Sequence, residues 1–261
     1  MGFATTDDGQ EIFFRTHGTN GPLLVFVSGY FGVDNIWQPL IAKLSLQYRC
    51  VSYDSRGYGR SSKPVSSDSY SVTRHAADLR TVLDACNITE RVVLVTHSMG
   101  CNIAAAYCLA YPDSVTGMIN SAAYYDGHRI QKFIPKEALS AGADIPSRCV
   151  AFYTNMGLDE ETALEAAKWP AHGRRNNAHA LMSFTMENKY PLINVPALVV
   201  MGQDDAVGPE ELVAPIVQEM PTCKLEVLKG VQHFPPTEAP VEMERLIRSF
   251  VEGLSNVPVQ L

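Results

Sequence analysis

Nine residues constrain this chain more than any others: Val92-Val93-Leu94-Val95-Thr96-His97-Ser98-Met99-Gly100. Four apolar residues in a row read as a strand buried on both faces, because a strand with one wet face alternates polar and apolar positions. The run ends at a serine with small residues around it, and an alanine-rich helical stretch follows at once. A strand that passes directly into a helix makes a tight, strained turn, so the residues there must be small, and the turn lifts the serine hydroxyl above the sheet. The plainer reading of Ser98 is a helix N-cap, a role serine often fills at such a junction. The rest of the chain has to separate the two.

Leu23-Leu24-Val25-Phe26-Val27 and Ala197-Leu198-Val199-Val200-Met201 are further buried-strand runs, and Phe3 to Thr6 reads as a first strand. Helix-length segments lie between the runs at 73–86 and 99–111, the second stopped by Pro112, since the residue before a proline is disfavoured in a helix. Alternation of this kind predicts a doubly wound, mostly parallel α/β sheet. The rhythm breaks between about Tyr124 and Tyr190. There Asp159-Glu160-Glu161 opens a helix carrying Leu164, Ala167 and Lys168, which Pro170 closes, and a second helix is expected over 176–186. The chain therefore divides into a core, 1–123 and 191–261, and a helical cap inserted at 124–190.

With 261 residues, 46% of them hydrophobic, the chain can bury one large core but not two full-sized ones. Its net charge of −7 is spread out and no Lys/Arg run forms a phosphate-tracking strip, so neither nucleic acid nor an anionic membrane is an expected partner. No apolar run approaches the roughly 20 residues of a membrane span, and Met1 to Gln10 lacks the basic and apolar regions of a signal peptide. These features predict a cytoplasmic protein, and a homo-oligomer is compatible with all of them. Cys50, Cys86, Cys101, Cys108, Cys149 and Cys223 show no metal-ligand spacing and read as free thiols, most of them buried. Met1-Gly2-Phe3-Ala4-Thr5-Thr6 fits a loose myristoylation pattern and Asn87-Ile88-Thr89 a glycosylation pattern, but the first reads better as a strand and the second as a loop.

Two segments near the C-terminus bear on Ser98. After the strand at 197–201 comes Gly202-Gln203-Asp204-Asp205-Ala206-Val207-Gly208-Pro209, and after 225–228 comes Lys229-Gly230-Val231-Gln232-His233-Phe234-Pro235-Pro236, followed by a helix at 241–251. Of seven histidines, only His233 sits in a glycine-proline loop after the last strand. With the serine turn, these segments resemble the α/β-hydrolase family in its chain order of nucleophile, acid and histidine. Ser98 stands in a G-x-S-x-G-like elbow whose first glycine is Thr96 here, Asp205 fits G-x-x-D…P, and His233 fits G-x-x-H-F-P. Asp204 and Asp126 are the competing acids. Ser28-Gly29-Tyr30-Phe31-Gly32 resembles the family's H-G-x segment with serine in place of histidine, and Asp54-Ser55-Arg56-Gly57-Tyr58-Gly59-Arg60-Ser61 resembles a bracing loop, D-x-R-G-x-G-x-S. The matches cover residues 3–121 and 192–254.

The resemblance implies an eight-stranded sheet with a small helical cap, and a triad of Ser98, Asp205 and His233 acting without metal or organic cofactor. It implies that the N–H groups of Tyr30 and Met99 form an oxyanion hole. It points to serine carboxylesterases, enol-lactonases and haloperoxidase-like enzymes, and so to an ester or lactone of a small, mainly apolar molecule. Expected to line its pocket are Phe31, His97, Tyr153, Met156, Trp169, Met182 and Phe234, with Phe152, Phe184 and Met186 as further cap candidates. The same fold serves as a small-molecule receptor with slow turnover, and as lyases or carbon–carbon hydrolases, so these remain alternatives.

Overall fold

The apolar runs without alternation form the middle of one sheet. The computed structural model describes residues 1–255. Its strands are β1 (Gly2–Thr5), β2 (Glu11–His17), β3 (Leu23–Val27), β4 (Arg49–Tyr53), β5 (Val92–His97), β6 (Val115–Ser121), β7 (Ala197–Gly202) and β8 (Cys223–Leu228). They lie in the order β1-β2-β4-β3-β5-β6-β7-β8. Every residue of β3, β5 and β7 is buried, whereas edge strand β8 has no fully buried residue. Pairings from β4 to β8 are parallel, and β2 alone is reversed, antiparallel to both β1 and β4.

Three helices precede the break in the alternation: α1 (Gln38–Leu44), α2 (Val72–Ala85) and α3 (Met99–Ala110). Five lie between β6 and β7: α4 (Gly127–Ile130), α5 (Lys136–Ser140), α6 (Pro146–Thr154), α7 (Glu160–Ala167) and α8 (Ala171–Ser183). The last three are α9 (Glu210–Glu219), α10 (Pro235–Glu238) and α11 (Pro240–Ser255). Among the described residues no helix is long and apolar enough to cross a membrane. Helix α2 shows why such segments fold as they do. The Ser71 hydroxyl accepts the Arg74 N–H at 3.0 Å, and Val72, Ala76, Leu79 and Leu83 form its buried stripe.

The segment between β6 and β7 differs in detail from the sequence expectation. Asp159 caps α7 as its acidic first turn implies, its carboxylate accepting the Thr162 N–H at 2.9 Å. Helix α8, expected at 176, begins at Ala171, because Pro170 in extended conformation is the residue from which it starts as well as the one that ends α7.

Register brings the business ends of four strands together. Val27 of β3 stands beside Thr96 of β5, Thr96 beside Asn120 of β6, and Asn120 beside Val199 of β7. The chain leaves β3 toward β4 and returns to β5 on the other side, so the crevice between the β3 and β5 loops is the sheet's topological switch point, where open α/β sheets bind ligands.

Candidate active site

At the end of β5 the backbone reverses at Ser98, which has φ 54° and ψ −122°. A residue with a side chain occupies that region only when its surroundings hold it there. The Ser98 N–H donates to the Ser121 carbonyl at 2.9 Å, and its own carbonyl accepts the Cys101 N–H at 2.8 Å. A Cβ on Gly100 would lie 2.4 Å from the Val27 carbonyl oxygen, so α3 can cross β3 this closely only with glycine there. Thr96 is tolerated because its hydroxyl is drawn sideways, donating to Asn120 Oδ1 at 2.7 Å. The Ser98 hydroxyl makes no capping bond to α3. It stands 3.0 Å from Nε2 of His233.

His233 Nδ1 faces both carboxylate oxygens of Asp205, at 2.9 and 3.0 Å. Burial alone would raise the Asp205 pKa, but the charge and hydrogen bond of His233, with the N–H groups of Gly208 and Val207, outweigh it and leave the carboxyl below its usual range. Those N–H groups donate at 3.0 and 2.8 Å. An ionised Asp205 holds the proton on Nδ1 and leaves Nε2 free to take one from Ser98. The competing carboxylates lie elsewhere. Asp204 is exposed, and Asp126 is occupied by the Arg129 N–H at 2.8 Å and the Met186 N–H at 3.0 Å.

Bonds that the sequence did not reveal hold the histidine loop. Glu238, in the single turn of α10, reaches back with both oxygens to the N–H groups flanking His233, those of Gln232 at 2.8 Å and Phe234 at 2.7 Å. The legible signal was a glutamate one turn into a proline-started helix, close to the spacing of a capping box. The His233 N–H donates to the Met156 carbonyl at 3.1 Å, and its carbonyl accepts His97 Nε2–H at 2.7 Å. Burial, aided by the neighbouring His233, pushes the His97 pKa down to about 3, so its ring is a neutral strut.

On the β3 side, a turn closed by the Gly32 N–H on the Gly29 carbonyl at 3.0 Å carries Tyr30 at its second position. Ser28, where the family has histidine, donates to the Val33 carbonyl and accepts Trp37 Nε1–H, both at 3.0 Å, bracing the loop from below. The Tyr30 phenol donates to the Leu139 carbonyl at 2.9 Å, tying this loop to the helical segment. Met99 is the first residue of α3, where backbone N–H groups have no partner within the helix.

Ser98 and His233 open onto a cavity of about 30 Å³. Of the residues expected to line it, Phe31, His97, Tyr153, Met156 and Phe234 do so, as do Tyr30 and Phe152. Trp169 and Met182 do not, which corrects the sequence expectation. Trp169 lies at the corner between α7 and α8, where its ring carries the Lys63 ammonium at 4.7 Å from the centroid. Leu181 is the residue of α8 that reaches the cavity, and one residue further along a helix points about 100° away, so Met182 is buried against other neighbours. Phe184 and Met186 are off the lining too, while Tyr124, Ile130, Ile134, Leu139 and Val207 belong to it. The six cysteines are free, four buried and two partly so, and burial pushes Cys50, Cys101 and Cys108 up to about 12.

Comparison with known proteins agrees with this architecture. RutD of Azorhizobium caulinodans, which carries a carbamate hydrolase assignment, is 26% identical over 253 residues, covering 91% of this chain and 94% of its own. The esterase EaEST from Exiguobacterium antarcticum superimposes with a TM-score of 0.86 at 23% identity, covering 97% of this chain and 100% of that one. The enol-lactonase of Burkholderia xenovorans LB400 gives 0.80 at 19% identity, covering 96% and 99%. The profile of the alpha/beta hydrolase fold matches residues 22–240, and the chain belongs to that family.

Proposed function

We propose that the chain is a serine hydrolase that cleaves an ester or lactone of a small, mainly apolar molecule through an acyl-enzyme. The observation that carries this reading is the chain of contacts from Ser98 Oγ to His233 Nε2 at 3.0 Å and from His233 Nδ1 to Asp205 at 2.9 Å. His233 takes the serine proton as Oγ attacks the carbonyl, and Asp205 stabilises the imidazolium that forms. The N–H groups of Tyr30 and Met99 are the donors we assign to the oxyanion, where losing one donor typically costs about 10²–10³ in rate. His233 then hands its proton to the leaving oxygen, and water activated by the same ring releases the acid. These steps use only protein groups, the substrate and water.

The segment 124–190 acts as a cap in this account, supplying Ile130, Leu139, Tyr153 and Met156 to the lining. The narrowness of this cavity, about 30 Å³, favours a short acyl group. The carbamate hydrolase assignment of RutD adds a second substrate class, since a carbamate offers the same kind of carbonyl with an oxygen leaving group. A panel of p-nitrophenyl esters, lactones and carbamates tests the reading against Ser98→Ala. Turnover by the native chain should exceed that of the variant by at least about 10³-fold. Equal rates, or an aldehyde or ketone product, would point instead to a receptor or a lyase.

A further inference from the structure

Tyr124 carries a buried polar group at this cavity that these steps leave unused, as does His97 at its Nδ1 edge. Tyr124 follows β6, where Ala122 takes φ 51° as the chain leaves the strand, and Asn102 Nδ2 donates to its main-chain carbonyl at 3.4 Å. Its side chain is fully buried and lines the same cavity as Ser98 and His233. Burial raises the phenol's pKa well above its usual range, opposed only in part by a side-chain hydrogen-bonding contact with Ser98, so the group is a neutral O–H at any working pH. Even so, its oxygen makes no hydrogen bond of normal geometry with any described residue. The Tyr30 phenol at the same cavity is already bonded to the Leu139 carbonyl at 2.9 Å.

A buried hydroxyl without a partner is unfavourable, and native structures rarely leave one so. One at a cavity wall can recover that loss when a ligand brings the missing partner. The acyl group of the intermediate is bonded to Ser98 Oγ, the atom Tyr124 approaches, whereas the leaving group departs past His233 Nε2. Among the described residues no Lys, Arg, Asp or Glu lines the cavity, so a charged acyl group would find no permanent counter-ion there and the partner is a neutral one.

We propose that Tyr124 is a specificity-determining residue whose hydroxyl hydrogen-bonds a neutral oxygen or nitrogen on the acyl side, one or two bonds from the scissile carbonyl carbon. The inference rests on the acyl-enzyme reading above. It makes alkoxyacyl, hydroxyacyl and carbamoyl groups better substrates than plain alkyl acyl groups of the same size.

The test uses two isosteric esters, p-nitrophenyl methoxyacetate and p-nitrophenyl butyrate, which differ by one oxygen in place of a methylene. The quantity read is the ratio of kcat/KM for the first over the second, in the native chain and in Tyr124→Phe. Loss of the hydroxyl should lower that ratio about fivefold, and the esters' different intrinsic reactivity cancels in the comparison. The native ratio divided by that of hydroxide-catalysed hydrolysis should exceed one by a similar factor, a readout that needs no variant. Ratios that agree within about twofold in both comparisons overturn the role of Tyr124, since water or packing alone then satisfies the phenol. Labelling of Ser98 by a fluorophosphonate separates the two levels. Turnover and labelling with an unchanged ratio refute Tyr124 alone, whereas neither turnover nor labelling refutes the hydrolase reading and this inference with it.

Discussion

The strand ends of the sheet and the helical segment between β6 and β7 both supply the walls of one cavity, but they hold their residues by different means. At the strand ends each position admits almost one kind of residue. Gly100 has no room for a Cβ, Ser98 sits at positive φ, and Asp205 is fixed by two backbone N–H groups. In the helical segment the lining is apolar and interchangeable, and what fixes it is main chain: the Leu139 carbonyl on Tyr30, and the Met156 carbonyl on the His233 N–H. Residue identity is therefore tightly constrained on one side, and on the other the main chain does the holding. Substitutions on the two sides should differ in kind, with kcat collapsing on the first and selectivity drifting on the second.

The largest effect expected after loss of Ser98 itself is at the acid. Asp205→Asn should keep the fold, checked by circular dichroism, and lower kcat by up to about 10⁴-fold, because the imidazole then rests in the wrong tautomer. Asp204→Asn should be nearly silent, and Asp126→Asn should cost stability on the order of 1 kcal/mol through its capping bonds to Arg129 and Met186. A crippled Asp126→Asn with an active Asp205→Asn would move the acid from the end of β7 to the end of β6.

A milder loss is expected of Glu238→Gln. One amide flanking His233 loses its acceptor, which should lower kcat by roughly tenfold while KM stays near native, since about 1–2 kcal/mol of positioning is lost. Steady-state kinetics separates this from a binding defect, which would raise KM instead.

What was legible in the sequence follows the same division. The placement of the Ser98 elbow, Asp205 and the His233 loop side by side could be read because steric and hydrogen-bonding demands leave a residue signature at fixed spacing. The Ser28 brace was not readable, because Trp37 Nε1 and the Val33 carbonyl meet it only through the folded loop. Trp169 and Met182 were misplaced for a related reason. Aromatic and sulfur side chains in a helical stretch say that something is buried, but the start of α8 at Ala171 sets which face meets the cavity. The restraint on His233 by Met156 was invisible, since a backbone carbonyl carries no residue identity.

A smaller effect concerns acid stability. The folded chain resists protonating His97 until about pH 3, whereas the unfolded chain takes up that proton below the usual 6.5. Between those values the unfolded state binds more protons, so stability falls as pH drops through this window. The loss should be on the order of a few kcal/mol, read as a falling urea midpoint from about pH 7 to about pH 4.5. Asp205, held below its usual range, acts in the same direction at lower pH. His97→Asn should flatten part of the dependence, and His75 and His17, also lowered by burial, account for more of it. A midpoint that rises on acidification would contradict a neutral His97.

The smallest effect should come from the helical segment. Phe152→Ala enlarges the lining without touching Ser98 or His233, so longer acyl chains should gain several-fold in kcat/KM relative to short ones, with little change in the best kcat. A large fall in kcat for all chain lengths would show that this segment acts on the chemistry directly.

Ser98 Oγ is the atom we propose to be acylated, and it can be trapped covalently. The native chain is treated with a fluorophosphonate, digested and read by mass spectrometry. One adduct is expected, on Ser98, formed together with full loss of activity and absent in Ser98→Ala and after denaturation. Full inactivation with the adduct on a cysteine or another serine, or an active protein carrying a quantitative adduct on Ser98, would contradict that assignment.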